Sequence, residues 1–252
     1  MAFLTNRNSI LEALREHPER VRKLWIEAGH ERISEEYIRE AKLKGVQFRI
    51  LPKEAFARRF KEGKSHICLE RDEISYIDPD ELIRDIDTRR DPFFCALDGV
   101  YDPQNLGNIV RSAACLGAEA VILPKDRSCG ITETVTNIAR GAVEHVKIVR
   151  VVNLARFIDE LKAKGVFCYA LDEKGTIPLW EIDLKGPVCL VFGGEDGLRR
   201  LTIERCDALI KIPTPEGFPS LNVAMSFAIS AYEVRRQRNR QGKDVRREAL
   251  GD

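Results

Sequence analysis

From residue 92 onward, short runs of uninterrupted apolar residues alternate with stretches whose apolar positions recur every three or four residues. The runs predict strands at 93–97, 120–123, 146–151, 166–171, 188–192 and 209–212, and the periodic stretches predict helices at 106–116, 132–142, 153–164 and 222–238, with a short one at 202–205. Strands that are apolar throughout and alternate with helices predict a parallel sheet covered on both faces, with ligands at the carboxyl ends of its strands. Before residue 70 the pattern is finer. Helices are expected at 9–16, 34–44 and 53–60 and strands at 21–26, 46–51 and 66–69, with Ser34 as an N-cap and Gly45 as a helix stop. Both halves are therefore of the α/β class: a small domain over 1–70 and a larger one over 89–238.

Between them lies a shift in composition. Residues 71–87 carry a net charge of −5, which predicts an acidic linker over 71–88 with a short helix possible near 81–86. The 252 residues are otherwise ordinary for a globular chain, at 44% hydrophobic and 32% charged. A net charge of +1 means that any surface for nucleic acid must be local. One such region is the end of the chain, 239–252, a basic tail continuing a run that carries +6 over 235–247. Seven cysteines form an odd count without C-x-x-C spacing, so neither a disulfide framework nor a zinc ribbon is expected, and no metal site is predicted. No leader-like start and no membrane-length apolar stretch is present, which predicts a reduced, cytoplasmic protein with no membrane partner.

Three loops that follow predicted strands hold the candidate chemistry. The first runs from Asp98 through Asn105, Gly107 and Asn108 to Arg111, with Asn105 expected as the N-cap of the following helix. The second, Gly193-Gly194-Glu195-Asp196-Gly197, sets two acids among glycines expected to supply positive φ and close approach to a bound molecule. The third begins at Ile212 and Pro213 and passes through Pro215, Gly217 and Pro219 to Ser220, Leu221 and Asn222, with Ser220 expected as the N-cap of the last helix. None matches the dinucleotide or P-loop fingerprint. Each loop alone has a purely structural reading, as a capped helix, a glycine-rich turn or a stiff connection.

Taken in order, the three segments resemble the SpoU/TrmH family of RNA ribose 2′-O-methyltransferases of the SPOUT superfamily, in particular its rRNA guanosine-2′-O-methyltransferase branch. The family pattern N-x-G-x-x-x-R stands here as Asn105-Leu-Gly107-Asn-Ile-Val-Arg111; its G-x-E-x-x-G stands, one residue shorter, as Gly193 to Gly197; its S-L-N-V stands as Ser220-Leu221-Asn222-Val223, followed by Ala224 where the family commonly has serine. The likeness covers residues 90–238. It implies a parallel-sheet SPOUT catalytic domain with a deep trefoil knot, S-adenosylmethionine as cofactor, and a homodimer built on that domain through the last helix. It further implies cofactor contacts at Gly193, Gly194, Ile212, Leu221, Leu171 and Pro213, and catalytic or pocket roles for Arg111, Asn105, Glu195, Ser220 and Asn222. The first 70 residues resemble, more weakly, the small α/β RNA-binding domain of many relatives, with His66 the one match to their His-Gln-Gly stretch. Lys53, Arg58, Arg59, Lys61 and Lys64 are candidates for phosphate contact there or simply the wet face of a helix.

The implied reaction is methylation of a ribose 2′-hydroxyl in structured RNA, with large-subunit ribosomal RNA favoured. A tRNA methyltransferase of the same family and a non-catalytic RNA-binding ribosome assembly factor are the alternatives. A nucleotide-dependent Rossmann enzyme is disfavoured by the missing fingerprint. In sequence, His66 and His145 have no partner constellation, so no histidine base is expected. Arg111, being permanently protonated, suits stabilisation of a developing alkoxide.

Overall fold

The computed structural model describes residues 2–60, 65–215 and 220–239. Along the chain the N-terminal elements are β1 (Ala2–Leu4), α1 (Arg7–Glu16), β2 (Val21–Glu27), α2 (Glu35–Leu43), β3 (Phe48–Leu51), α3 (Lys53–Arg59) and β4 (Ile67–Arg71). Next come α4 (Pro79–Asp85), β5 (Phe93–Asp98), α5 (Pro103–Leu116), β6 (Ala120–Pro124), α6 (Glu133–Ala139), β7 (Lys147–Val151) and α7 (Leu154–Ala163). The chain continues through β8 (Phe167–Leu171), β9 (Ile177–Pro178), β10 (Val188–Gly193), α8 (Arg200–Arg205), β11 (Ala208–Lys211) and α9 (Val223–Asn239). The strands β1 and β9 are additions to the expected set; with three and two residues they are too short to leave a period in the sequence. Lys61, Lys64, Gly217, Pro219 and the basic tail beyond Asn239 lie outside the described residues.

Packing groups the chain into two compact units that do not follow the sequence boundaries of 1–70 and 89–238: Met1–Ser75 with Ile131–His145, and Tyr76–Gly130 with Val146–Asp252. The first unit holds a mixed four-stranded sheet in the order β1-β4-β2-β3, parallel only between β2 and β3. Its core includes Leu4, Ile10, Leu14, Leu24, Ile26 and Leu69. Residues 131–145 join this unit through specific bonds. Ser9 Oγ donates to the Thr136 carbonyl at 3.3 Å, His145 Nε2 meets Glu12 Oε2 at 2.6 Å, and Arg71 forms a two-pronged ion pair with Glu144.

The second unit carries seven strands in the order β7-β6-β5-β10-β8-β11-β9, every pair parallel. The expected parallel sheet is therefore present. All six residues of β5 are buried, as a central strand covered on both faces requires. The chain leaves β5 toward β6 on one side, whereas it leaves β10 toward β11 on the other, so the boundary between β5 and β10 is a topological switch point. Below it, α9 is pinned by Phe227, whose ring stands edge-on to Phe192 at 5.6 Å and stacks on Phe93 at 6.3 Å. Farther along α9, Gln237 accepts from Leu184 N–H and donates to the Ile182 carbonyl, and the Arg238 guanidinium donates to the Leu184 and Gly186 carbonyls. Thus Arg238, counted above within a basic run, is a structural clamp, and Arg236 is paired with Glu233.

The acidic stretch is not a loose linker. Ile77 bridges to Val149 beside β7, while Leu82 is buried and Ile83 and Ile86 pack on the main core. Its charges hide four apolar anchors, so that net charge alone misreads it.

Candidate active site

The three loops meet at the carboxyl edge of the sheet, around the β5/β10 switch point where an open parallel sheet offers a ligand crevice. A cleft of about 390 Å³ opens there, within the ~300–1,000 Å³ typical of small-molecule sites. Leu171, Phe192, Leu198, Ile212 and Val223 give it apolar walls; Gly193, Gly194, Ser220 and Leu221 also line it. Its charged lining is Asp172, Glu173, Glu195 and Asp196 against Lys174, an acidic excess suited to a cationic ligand. Pro213, Asn105, Asn222 and Arg111 are not part of the lining.

At the mouth a continuous polar chain joins all three loops. Glu195 accepts from the Tyr101 N–H at 3.2 Å through Oε2 and from Asn105 Nδ2 at 3.3 Å through Oε1. Asn105 Oδ1 in turn accepts from Asn222 Nδ2 at 2.9 Å, and Asn222 Oδ1 accepts from the Ala224 N–H at 2.8 Å. Two capping expectations are corrected here. Asp102, not Asn105, caps α5, with Pro103 in the first turn; its side chain accepts from Gln104 N–H. Asn222, not Ser220, accepts the first free N–H groups of α9. The reason is the same at both helices: a closer acceptor takes the cap. Asn105 is thereby released into the first turn, where its amide bridges the other two loops.

The glycines of the second loop also act differently from the expectation. Only Gly197 among them has positive φ, at +74°, and its N–H returns to the Gly194 carbonyl at 3.0 Å to close a four-residue turn around Glu195 and Asp196. The shortened motif is thus a tight turn with Glu195 at its tip. At Gly193 a Cβ would lie 2.4 Å from Gly197 C, and at Gly194 it would lie 1.8 Å from the Gly99 carbonyl oxygen. Both are glycine because backbone presses on backbone, so the turn and the loop after β5 form one packed body.

Arg111 lies six residues beyond Asn105 on α5, about 9 Å of helix rise. It is exposed and has no hydrogen bond or ion pair among the described residues. The structure therefore links Asn105, Glu195 and Asn222 directly and keeps Arg111 apart from them.

One residue that the motifs did not single out holds the site together. The Asp98 carboxylate, 1% exposed at the end of β5, accepts from Arg199 N–H at 3.1 Å, Arg199 Nε at 2.6 Å and Thr202 Oγ1 at 2.7 Å. Its carbonyl accepts from Gly194 N–H at 2.9 Å. A carboxylate ending an otherwise apolar buried strand was the available signal, since a buried charge needs several donors. The histidines also find partners across long sequence separations, contrary to expectation: His145 on Glu12, and His66 Nδ1 on Glu27 at 2.7 Å. That contact holds the Glu27 carboxyl below its ordinary range.

Comparison with known proteins gives the family. The model of the SpoU rRNA Methylase family matches residues 92–232. The chain belongs to the SpoU rRNA methylase family. A Coxiella burnetii relative named 23S rRNA (guanosine-2′-O-)-methyltransferase RlmB is 38% identical to this SpoU chain over 224 residues, covering 88% of it and 90% of the relative. A Xylella fastidiosa protein of the same name is 49% identical over 143 residues, 56% of this chain; that match spans only 57% of the relative's length. Among solved structures, the SpoU methyltransferase AviRb from Streptomyces viridochromogenes, crystallised with the cofactor AdoMet, superposes with a TM-score of 0.80. It is 22% identical and the match covers 94% of this chain and 90% of that one, so the likeness carries the fold.

Proposed function

We propose that this SpoU methylase transfers a methyl group from S-adenosylmethionine to a ribose 2′-hydroxyl of ribosomal RNA, with a guanosine of 23S rRNA as the first substrate to test. The observation that carries this reading is the polar chain from Tyr101 through Glu195 and Asn105 to Asn222, which ties the three motif loops together at the mouth of one acidic cleft. The cleft suits the cofactor: its walls offer apolar contact for an adenine, strand-end loops offer backbone groups, and its acids balance a sulfonium. Gly193, Gly194, Ile212, Leu221 and Leu171 would hold it from the lining, with Pro213 bracing Ile212.

When bound, the cofactor supplies an electrophilic methyl. The protein's work is alignment, since displacement at that carbon needs the hydroxyl oxygen in line and within about 3–3.5 Å. Glu195 accepts from the Tyr101 N–H through one oxygen and from Asn105 Nδ2 through the other, and in this reading it positions the loops around the acceptor. Ser220 and Asn222 complete the rim, and the Arg111 guanidinium, which has no partner among the described residues, stabilises the developing alkoxide while also holding the substrate phosphate. The proton passes to that phosphate or to water.

The same reading includes a trefoil knot in the C-terminal segment, supported by the way Ile212, Ser220, Leu221 and Val223 return to line the cleft begun by loop 192–198. It includes action in the cytoplasm, where ribosomal RNA is found; among the described residues no helix is long and apolar enough to cross a membrane. It also includes a homodimer. Alongside its buried face, α9 exposes Met225, Ile229 and Tyr232 at successive turns, next to exposed Leu221, an apolar stripe that a second copy would cover. Sedimentation of the full chain is expected to give a dimer, and Met225→Asp with Tyr232→Asp a monomer; a monomeric parent at micromolar concentration would refute the interface.

The central test is to map ribose methylation in ribosomal RNA and tRNA from cells with and without this chain, and to repeat the transfer in vitro with a metal chelator present. One guanosine of the large-subunit RNA is expected to lose its mark and to regain it in vitro. Methylation of tRNA alone would redirect the substrate, and no methyl transfer to any RNA would overturn the reading.

A further inference from the structure

The cofactor cleft uses one side of the β5/β10 switch point. Among the described residues its lining falls within 171–174, 192–198 and 212–226, at the ends of β8, β10 and β11 and the start of α9, and none of it comes from the loops after β5 and β6. The polar chain at its mouth nevertheless starts on the β5 side, at the Tyr101 N–H. A ribose that meets the cofactor's methyl at that mouth leaves the rest of its nucleotide over the ends of β5 and β6, so the groups that hold the nucleotide have to stand there.

Two side chains do. Tyr101 is 44% exposed, and its side chain has no hydrogen bond or ring contact among the described residues. An exposed aromatic is by itself ordinary. This one is fixed at the reaction site: its N–H is held by Glu195 at 3.2 Å, and its ring lies beside Gly99, where an added Cβ would be 3.9 Å from both Tyr101 Cε2 and the hydroxyl oxygen. The same Cβ would be 4.0 Å from the Arg127 carbonyl oxygen, and the Cys129 N–H donates to the Val100 carbonyl at 2.8 Å, so the loop after β6 is fastened to the loop after β5. Arg127 is exposed, has no hydrogen bond or ion pair among the described residues, and holds a left-handed φ of +57°. Glycine would sit there without strain, and no contact within the fold calls for a guanidinium; strained residues of this kind persist where function selects the side chain.

We propose that Tyr101 and Arg127 grip the nucleotide being methylated, the ring stacking on its base and the guanidinium holding a flanking phosphate. An aromatic ring takes an unpaired base on its π-face, and a planar guanidinium suits a phosphate's oxygens. The ribose lies between base and phosphate, so fixing both ends presents its 2′-hydroxyl in line with the methyl. Arg111 is then left to the developing charge. The inference rests on the proposed methylation for the identity of the acceptor; the choice of residues rests on their exposure, fixed backbone and lack of partners.

The test uses the full chain and a hairpin of large-subunit RNA carrying the mapped guanosine, alongside the same hairpin with that one base removed and its ribose kept. With subsaturating RNA in single turnover, Tyr101→Ala is expected to slow transfer to the guanosine hairpin about tenfold, equivalent to about 1.4 kcal/mol, and Tyr101→Phe to retain most of the rate. On the hairpin lacking the base, the parent is expected to be slowed already and Tyr101→Ala to cost nothing further. Arg127→Gly, which relieves the left-handed backbone, should leave the thermal melt at or above that of the parent yet weaken RNA binding roughly fivefold and flatten its salt dependence. Cofactor affinity by calorimetry and sedimentation should be unchanged in all three variants. Equal losses from Tyr101→Ala on both hairpins, a Phe variant as slow as the Ala variant, a changed oligomeric state, or RNA binding by Arg127→Gly with the parent's affinity and salt slope would each overturn the inference. Failure of the parent to methylate any RNA strikes the proposed function, whereas normal transfer by the parent with indifferent variants strikes this inference alone.

Discussion

Arg111→Ala is expected to slow single-turnover methyl transfer by about 100- to 1,000-fold, the usual cost of removing one donor aimed at developing negative charge. Affinity for S-adenosylmethionine should change by less than about twofold, or ~0.4 kcal/mol. The asymmetry follows from position. Arg111 neither lines the cofactor cleft nor touches the Glu195–Asn105–Asn222 chain, and it has no partner among the described residues. Its removal leaves no buried group unmatched, so the fold and the cleft should be unaffected. Arg111→Lys should recover little, because a point charge on a flexible stem does not reproduce a planar fork that spans an alkoxide and a phosphate. Rapid-quench measurement of transfer, paired with calorimetry of cofactor binding, separates the two effects. Equal losses in rate and cofactor affinity would place Arg111 in the cofactor pocket and refute its assignment to the acceptor side.

The order and type of the long elements were legible because strands such as β5 and β10 are buried on both faces and must be apolar throughout, a demand visible without any neighbour. The three site loops were legible for a related reason: glycine, proline and asparagine cluster where backbone geometry is demanding. Contacts between distant residues were not. Asp98 draws on residues 101 and 104 positions away, and His145 is paired with a residue 133 positions earlier. Nothing in a local period encodes such pairings, so a buried hub reads as one more acid and a paired histidine as an isolated one. Capping failed for a subtler reason. Several good acceptors stand near the starts of α5 and α9, and only the three-dimensional approach of the loops decides which one caps and which one is left for the site.

The same blindness to distance hides a buried ion pair of the first unit. Arg71 reads in sequence as the opening residue of an acidic stretch, yet its side chain is 1% exposed and paired with Glu144, itself 2% exposed. Its Nε donates to the Asp72 carbonyl at 3.1 Å, so the guanidinium is spoken for on both sides. Arg71→Ala would strand the Glu144 carboxylate in the interior and detach residues 131–145 from β4. Breaking a buried pair in this way costs about 3–5 kcal/mol. Unfolding of the first unit, followed by the fluorescence of Trp25 in a Trp180→Phe background, is expected to shift to lower urea by that amount. The double variant Arg71→Met with Glu144→Leu should recover most of the loss, because apolar side chains of similar size avoid the desolvation that a lone charge cannot. If Arg71→Ala alone costs less than about 1 kcal/mol, the value of an exposed ion pair, then the pair is not what fastens residues 131–145 to the N-terminal sheet.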